Sequence, residues 1–279
     1  MFASISALKD RSSHRARVLR YGDEEGVRVD DQLAAEEPLE IRIGGVPLTV
    51  MMRTPGHERE LALGFLFGEG IIRGAADVAG MRLIPNGEHP DLENVIDVDL
   101  APGAPGVDRR WQRNFLAASS CGLCGVSSIE AIHESAPPLP DDGLVVDRDI
   151  IYGLDARLRS EQAIFARTGG LHAAGLFTVE GEPVAVREDI GRHNAVDKVV
   201  GHAVERLLLP LDHHILMVSG RTSFEIVQKA LQARIPVLVA VSAPSSLARD
   251  LAQASNQTLI GFLRGRSLNV YSGRQRIQA

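Results

Sequence analysis

The sequence has little of what marks several large classes of protein. It contains two cysteines and one tryptophan in 279 residues, which excludes the disulfide framework of small secreted domains. Its formal net charge is −6, whereas a non-specific nucleic-acid binder needs a basic surface to displace counterions. No apolar run approaches the roughly 20 residues of a membrane-spanning helix, and residues 1–10 lack the apolar centre of a secretory signal. We therefore expect a cytoplasmic protein that binds neither nucleic acid nor membrane.

The two cysteines lie close together, in Cys121-Gly122-Leu123-Cys124. The residues at 127–130 look like a helix start, whose free N–H groups and dipole would favour thiolate over thiol. C-x-x-C spacing suits a dithiol–disulfide couple, half of a zinc site or a sulfur relay. Zinc is disfavoured because further ligands would have to come from scattered histidines, and His57-Glu58-Arg59 does not fit the H-x-E of zinc deaminases. Two buried, inert cysteines stay open as an alternative, although the flanking glycines and serines do not resemble a core.

Three regions differ in pattern along the chain. Residues 1–36 are polar, with arginines followed by acidic residues, and this predicts a loosely ordered leader with one edge strand near Val27. Residues 37–135 predict a small α+β domain that ends in the C-x-x-C loop. Its predicted elements are a hairpin over Leu39–Val50 with a Gly44-Gly45 turn, a helix opened by Thr54 as cap and Pro55 as first residue, and a strand over Val95–Leu100.

Residues 136–279 predict an α/β domain, after a proline-containing stretch at Ala136–Gly143 that is the best linker candidate. Strands and helices alternate here and the strands are apolar throughout, which indicates a sheet covered by helices on both faces. The predicted strands are Ala174–Thr178, Val184–Arg187, Ile215–Ser219, Val237–Val241 and Leu259–Leu263. The predicted helices are Ile150–Phe165, Ile190–Leu207, Ser223–Ala233 and Ser245–Ala254.

Polar stretches follow or precede several of these strands, the position at which open α/β sheets bind ligands. His172 follows a glycine pair and is a candidate wall of the site, although the pair could simply cap a helix. His193 lies in the highly charged stretch Arg187–Lys198, for which a solvated face is the alternative. Ser219 and Arg221 open a helix after a buried strand, an arrangement suited to phosphate, although plain N-capping explains such a start equally well.

The last candidate stretch lies near the end of the final apolar strand. It comprises Phe262, Leu263, Arg264, Gly265 and Arg266. The two arginines could grip an anion, and the phenylalanine could stack on a base or belong to the core. Arg221 and Arg266 are thus candidate contacts for the phosphates of a phosphorylated ligand.

Taken together, these stretches resemble the FdhD/NarQ family, the formate dehydrogenase accessory sulfurtransferases. The resemblance runs from about Leu39 to about Arg276. It rests on SSCGLCG, TGGLHAAGLF, REDIGRHNAVDK, SGRTSFE, SAPSSLA and GFLRGR.

The resemblance implies a sulfur carrier that accepts persulfide sulfur from a cysteine desulfurase. It then passes the sulfur to the molybdenum cofactor, in its bis guanine dinucleotide form, before the cofactor enters formate dehydrogenase. Cys121 corresponds to the family's persulfide carrier and Cys124 to the assisting cysteine. Residues 262–266 match the family's cofactor-binding loop, where GDP would mimic the cofactor. The resemblance therefore implies that Arg221 and Arg266 contact the phosphates of a guanine nucleotide. The family also implies a cytidine-deaminase-like fold for the larger domain, and a homodimer.

Two other functions stay open on the residues. One is a thiol–disulfide oxidoreductase, which is disfavoured because the C-x-x-C lies between two domains rather than after a first strand. The other is a non-catalytic chaperone for a guanine nucleotide or the molybdenum cofactor, with structural cysteines. Composition and spacing alone lead only as far as a nucleotide-binding α/β protein with a reactive dithiol.

Overall fold

The chain begins with a two-stranded antiparallel ribbon. A computed structural model describes residues 11–22, 25–85, 94–107, 137–141 and 143–278. In it, β1 (Ser13–Arg20) and β2 (Val27–Ala34) pair along their whole length. The predicted strand near Val27 is confirmed, whereas the prediction of a loosely ordered leader is wrong for these residues. Facing pairs such as Arg17 with Asp30 and Val18 with Val29 supply opposite charges and β-branched contacts, which stabilise an antiparallel pair.

A small α+β unit follows. It contains β3 (Glu37–Ile43), β4 (Val46–Arg53), α1 (Glu58–Gly68), β5 (Val78–Ile84) and β6 (Val95–Leu100), with the four strands in the order β4-β3-β6-β5. The predicted hairpin and the strand over 95–100 are confirmed, whereas β5 was not predicted. Gly44 and Gly45 both have positive φ, at 57° and 81°, so the tight turn needs glycine at both places.

Thr54 does not cap the first helix, contrary to the prediction. The helix begins four residues later, after His57 in the left-handed region, and it has no side-chain cap. The Thr54 hydroxyl instead donates to the Ala35 carbonyl oxygen at 3.0 Å and accepts from the Ile190 N–H at 3.1 Å. Thr54 therefore joins the two units, a role that depends on a residue far along the chain.

The second unit is built on a six-stranded mixed sheet. Its strand order is β13-β12-β11-β10-β8-β9, in which β10, β11 and β12 are parallel to one another. The elements are β7 (Val146–Asp147), α2 (Arg148–Ser160), α3 (Ala163–Thr168), β8 (His172–Thr178), β9 (Pro183–Asp189), α4 (Arg192–Glu205), β10 (His214–Val218), α5 (Phe224–Gln232), β11 (Val237–Ala240), α6 (Ser246–Ala254), β12 (Thr258–Arg264), β13 (Ser267–Ser272) and β14 (Ile277–Gln278).

Helices cover both faces of this sheet, as predicted. Alternate residues of each strand point to opposite faces, so Leu216 packs with α4, α5 and α6 while its neighbour Ile215 packs with α2. The five predicted strands and three of the predicted helices are confirmed, with ends that shift by one or two residues. None of the described helices is long and apolar enough to cross a membrane.

The helix predicted over Ile150–Phe165 is two helices. The Glu188 carboxylate accepts the N–H groups of Ile164 and Phe165, at 2.9 and 2.7 Å, in the first turn of α3. A helix start needs partners for such N–H groups. Here they come from a residue more than twenty positions away, and so the break is not visible locally.

The proline-containing stretch proposed as a linker lies against the second unit where it is described. The side chain of Leu139 is 5% exposed, and its N–H donates to the Ser255 carbonyl oxygen at 3.0 Å. The Arg234 guanidinium donates to the Pro137 carbonyl oxygen at 2.7 Å. These contacts attach the stretch to the ends of α5 and α6.

The two units share a close helix–helix contact. Helix α1 crosses α4 with Gly64 against Asp197 and Gly201 against Glu60: a Cβ built on either glycine would lie less than 2 Å from the facing carbonyl oxygen. Only glycine permits this approach. The crossing places the small unit directly against α4, the helix whose first turn contains His193.

Candidate functional site

Most of the predicted site residues lie along one edge of the large sheet. The parallel strands β10, β11 and β12 end at this edge, and the antiparallel strand β8 begins there, at His172. Strand β9 ends there too, because His172 pairs with Asp189. The first turn of α4 and the loop after β10 therefore come together, which brings His172, His193, Ser219 and Arg221 to one place.

Backbone hydrogen bonds link the three loops that follow the parallel strands. The Thr222 N–H donates to the Ala243 carbonyl oxygen at 3.2 Å, and the Ser245 N–H donates to the Thr222 carbonyl oxygen at 3.0 Å. The Phe262 N–H donates to the Ser242 carbonyl oxygen at 3.2 Å. The loop at 262–266, whose first three residues still belong to the end of β12, is thus fixed to the same edge as the loop at 219–223.

Ser219 forms hydrogen bonds to the backbone at this edge. Its hydroxyl accepts the Ala173 N–H at 2.9 Å, and its own N–H donates to the Ala173 carbonyl oxygen at 2.9 Å. The next residue, Gly220, lies against His172: a Cβ there would be 3.2 Å from the His172 Nδ1 atom and 3.9 Å from the Arg192 Cδ atom. A side chain at this position would crowd the imidazole, so glycine allows His172 to pack directly against the backbone of Gly220.

Both site histidines are held neutral. Burial lowers the pKa of His172, and the neighbouring Arg192 and Arg221 lower it further, against the opposing effect of Asp189. Burial likewise lowers the pKa of His193 to about 4, helped by Arg192 and opposed by Glu225. Neutral imidazoles beside two guanidinium groups form a site that favours an anion and can still donate hydrogen bonds to it.

The two serine-rich helix starts differ. Ser245 is a plain N-cap, since its hydroxyl accepts the Ala248 N–H at 3.2 Å. Ser223 holds the same position at α5 but makes no such bond. Its hydroxyl oxygen lies 3.0 Å from the His193 Nε2 atom instead. The N-cap alternative therefore explains Ser245, whereas Ser223 directs its hydroxyl toward a site histidine.

The loop at 262–266 presents one ring and two guanidinium groups. Phe262 is 38% exposed and has a positive φ of 54°, an uncommon conformation for a bulky residue that is found preferentially at functional sites. Arg264 is exposed. The Arg266 Nη2 donates to the Asp149 Oδ1 at 2.7 Å, and its guanidinium lies 5.0 Å from the Tyr152 ring centroid. The Gly265 φ of 55° forms the turn into β13.

Not every predicted site residue is available to a ligand through its side chain. Leu263 is completely buried in the core between α2 and the sheet, because its strand position points inward. It can reach a ligand only through its backbone. Cys121 and Cys124 lie outside the described residues.

Much of the charged stretch 187–198 has a structural role. The Arg187 guanidinium donates through Nη2 to Glu60 Oε1 at 2.7 Å, and His202 Nδ1 lies 2.9 Å from the same oxygen. Burial alone would raise the pKa of Glu60, but the hydrogen bonds from Arg187, His57 and His202 outweigh it and lower the pKa well below its usual range. The alternative of a solvated charged face is wrong for these residues, since they join the two units.

Sequence analysis missed Arg192 and Ser223 as site residues. Arg192 is the first residue of α4 and lies among His172, His193 and Gly220. The signal available in the sequence was an arginine at a predicted helix start, where a cation opposes the helix dipole.

The depressed pKa of His193 predicts a loss of stability in acid. Below its ordinary pKa of 6.5 the unfolded chain binds a proton at His193, whereas the native protein does not until about pH 4. The free energy of unfolding should therefore fall as the pH decreases from 6.5 to 4, by up to about 3 kcal/mol from this group. Urea unfolding at pH 7.5 and 4.5 should show a smaller pH dependence for His193→Asn than for the wild type, and equal dependence would contradict the assignment.

Comparisons with known proteins agree with the resemblance seen in the sequence. The family model described as FdhD/NarQ family matches residues 34–278. A protein of Nocardia farcinica named sulfur carrier protein FdhD is 49% identical over 275 residues, covering 98% of this chain and 97% of its own. One of Mycobacterium tuberculosis with the same name is 50% identical over 272 residues, covering 95% and 98%.

A solved structure shares the fold. It is described as a putative formate dehydrogenase accessory protein from Desulfotalea psychrophila, with a TM-score of 0.77 and 23% identity over 96% of this chain and 100% of that one. The family match covers the ribbon's last residue, both units and every described candidate site residue. This chain belongs to the FdhD/NarQ family.

Proposed function

We propose that this protein is a sulfur carrier that accepts persulfide sulfur from a cysteine desulfurase and passes it to the molybdenum cofactor for a formate dehydrogenase. The observation that carries the proposal is sequence identity of 49% and 50%, over nearly the full length, to proteins named sulfur carriers. The C-x-x-C pair in this chain supplies the thiols that such a transfer needs.

The transfer balances with two thiols. The Cys121 thiolate attacks the outer sulfur of the donor's cysteine persulfide, the donor S–S bond breaks, and the donor leaves as a thiolate. The Cys124 thiolate then attacks Cys121 Sγ, forming a Cys121–Cys124 disulfide and releasing the carried sulfur as sulfide toward molybdenum. The dithiol loses the two electrons that reduce the sulfur, and a cellular thiol restores it.

The edge of the large sheet supports the second half of the proposal. The bis guanine dinucleotide form of the cofactor carries pyrophosphate groups and flat guanine rings. Arginines and helix N-termini bind phosphate, and the exposed ring of Phe262 suits stacking on a base. We include in the proposal a cytidine-deaminase-like fold, supported by a mixed sheet with helices on both faces, together with a homodimer in the cytoplasm.

The test of sulfur transfer is an intact-mass measurement. The protein is incubated with a cysteine desulfurase and cysteine, and the wild type is expected to gain the mass of one sulfur atom or more. Cys121→Ala should gain none, because it lacks the accepting thiolate. Cys124→Ala should keep its adduct, because it lacks the thiol that releases it. An undiminished adduct on Cys121→Ala would contradict the proposal.

The same variants separate the alternatives. A thiol–disulfide oxidoreductase would turn over a disulfide substrate and have a dithiol potential near thioredoxin's, about −270 mV. A chaperone with structural cysteines would keep both cofactor capture and activity in cells when the two cysteines are replaced. Retained capture with activity lost in cells would instead favour sulfur transfer.

A further inference from the structure

Arg192 occupies an electrostatically unfavourable place unless an anion is bound. It is the first residue of α4, where its charge meets the positive end of the helix dipole. Its Nε atom is buried and has no hydrogen-bond partner. Within the part of the chain that the structure describes, no carboxylate lies within ion-pair distance of its guanidinium. The Glu225 carboxylate lies 3.7 Å from His193 Nε2 and attracts Arg192 only from a longer distance, so the buried Nε–H donor stays without a partner, which is costly.

The surroundings of Arg192 are those of an anion receptor. His172 and His193 flank it as neutral donors, and the hydroxyl of Ser223 lies 3.0 Å from His193 Nε2. The starts of α4 and α5 both lack side-chain caps, which leaves their first N–H groups free of such partners. Thr222, beside Ser223, is 1% exposed, and its hydroxyl likewise has no hydrogen-bond partner among the described residues. Gly220 lies between His172 and Arg192, where a Cβ would be 3.2 Å from His172 Nδ1.

Arg266 is differently placed. Its guanidinium is already paired with Asp149 and lies over the Tyr152 ring. Its side chain is 73% exposed, so solvent screens it and an ion pair there contributes little. A ligand phosphate would have to compete with Asp149 for this arginine, whereas no described carboxylate is paired with Arg192.

We propose that Arg192 is the principal phosphate receptor of the site, forming with His172, His193 and Ser223 a subsite for the phosphates of a guanine nucleotide. This inference rests on the proposed function, which supplies the guanine nucleotide. It assigns the main phosphate contact to Arg192 and a lesser one to Arg266. Guanidinium groups bind phosphate through two parallel hydrogen bonds, so lysine is a poor replacement.

The test is isothermal titration calorimetry with GDP, guanosine and inorganic phosphate. Arg192→Gln should weaken GDP binding by at least about tenfold, the loss expected for a charge-assisted, bidentate contact. It should leave guanosine binding unchanged, since guanosine has no phosphate. Arg266→Ala should weaken GDP binding by less than about threefold, in keeping with a screened contact. Arg206→Gln is the matched control, because it removes the same charge from the opposite end of α4 and should leave GDP affinity unchanged.

A second variant keeps the inference falsifiable if Arg192→Gln does not fold. Gly220→Ala adds a Cβ between His172 and Arg192 and should weaken GDP binding while keeping the thermal unfolding midpoint close to that of the wild type. Equal GDP affinity in Arg192→Gln and wild type, or a larger loss in Arg266→Ala, would overturn the assignment. Inorganic phosphate that binds as tightly as GDP would overturn the nucleotide in favour of a free anion.

The failure of this inference is distinguishable from failure of the proposed function. Arg192→Gln should still accept sulfur at Cys121 from a cysteine desulfurase, because the receptor acts on the cofactor and not on the donor. If the wild type binds no GDP, both the cofactor half of the proposed function and the subsite are wrong. If the wild type binds GDP and Arg192→Gln binds it equally well, only the subsite is wrong.

Discussion

Gly64→Ala is expected to lower the free energy of unfolding by about 3 kcal/mol or more, because overpacking a rigid contact forces backbone movement. A Cβ at Gly64 would lie 1.8 Å from the Asp197 carbonyl oxygen and 2.6 Å from its carbonyl carbon. Both are backbone atoms of α4, so no side chain can move aside. Helices α1 and α4 would have to separate, and the contact between the two units would weaken with them.

Gly201→Ala should behave in the same way, because its Cβ would lie 1.7 Å from the Glu60 carbonyl oxygen. The matched control is Gly153→Ala in α2, where a Cβ meets only the Arg157 Nε atom at 3.9 Å. The free energy of unfolding of this control should rise by about 0.5–1 kcal/mol, since alanine is the better helix former. Urea denaturation followed by circular dichroism measures all three, and a loss below about 1 kcal/mol in Gly64→Ala would contradict the close crossing.

Lys198→Met is expected to lower the free energy of unfolding by about 3–5 kcal/mol, because it leaves a buried carboxylate without its counter-ion. The Lys198 Nζ lies 2.8 Å from the Asp189 Oδ2 and donates to the carbonyl oxygens of Thr54 at 2.9 Å and Glu188 at 3.2 Å. Its side chain is 1% exposed and that of Asp189 is fully buried. Methionine keeps the volume and removes the three donors.

A double-mutant cycle separates the ion pair from the packing. The double variant Lys198→Met with Asp189→Asn should lose much less free energy of unfolding than the two single variants lose in sum. The second change removes the uncompensated charge. The control is Asp250→Asn, which breaks an exposed ion pair with Arg249 and should change stability by less than about 1 kcal/mol. Additive losses in the double variant would show that the pair does not act as a unit.

The crossing of α1 with α4 and the Lys198–Asp189 ion pair affect the candidate site because they fix the start of α4. The Asp189 Oδ1 accepts hydrogen bonds from the Gly191 N–H at 2.8 Å and from the Asn194 Nδ2 at 2.9 Å. Asn194 also donates to the Met52 carbonyl oxygen at 2.8 Å, in the small unit. Arg192 and His193 lie between these anchors. The small unit therefore helps to position the proposed phosphate receptor.

Local patterns predicted much of the fold. The apolar strands of the large sheet and the helices between them follow from runs and periods that are confined to a few residues. The hairpin at 39–50 follows from alternation around two glycines. Elements without such a pattern were missed or underestimated. The ribbon strands are mostly polar, and β5 and β13 are mostly half-exposed or exposed.

By itself, the sequence determined the chemistry available to this protein: a C-x-x-C pair, helix starts after buried strands, and arginines and histidines near them. The tertiary structure alone decided which of those charged groups are committed to structure and which face a ligand. Asp189 binds the Thr54 N–H across 135 residues, and Arg187 binds Glu60 across 127, whereas Arg192, three residues after Asp189, has no such partner among the residues that the structure describes. The reason is physical: a charge is structural or functional according to what lies within a few ångströms of it, and those neighbours come from distant parts of the chain.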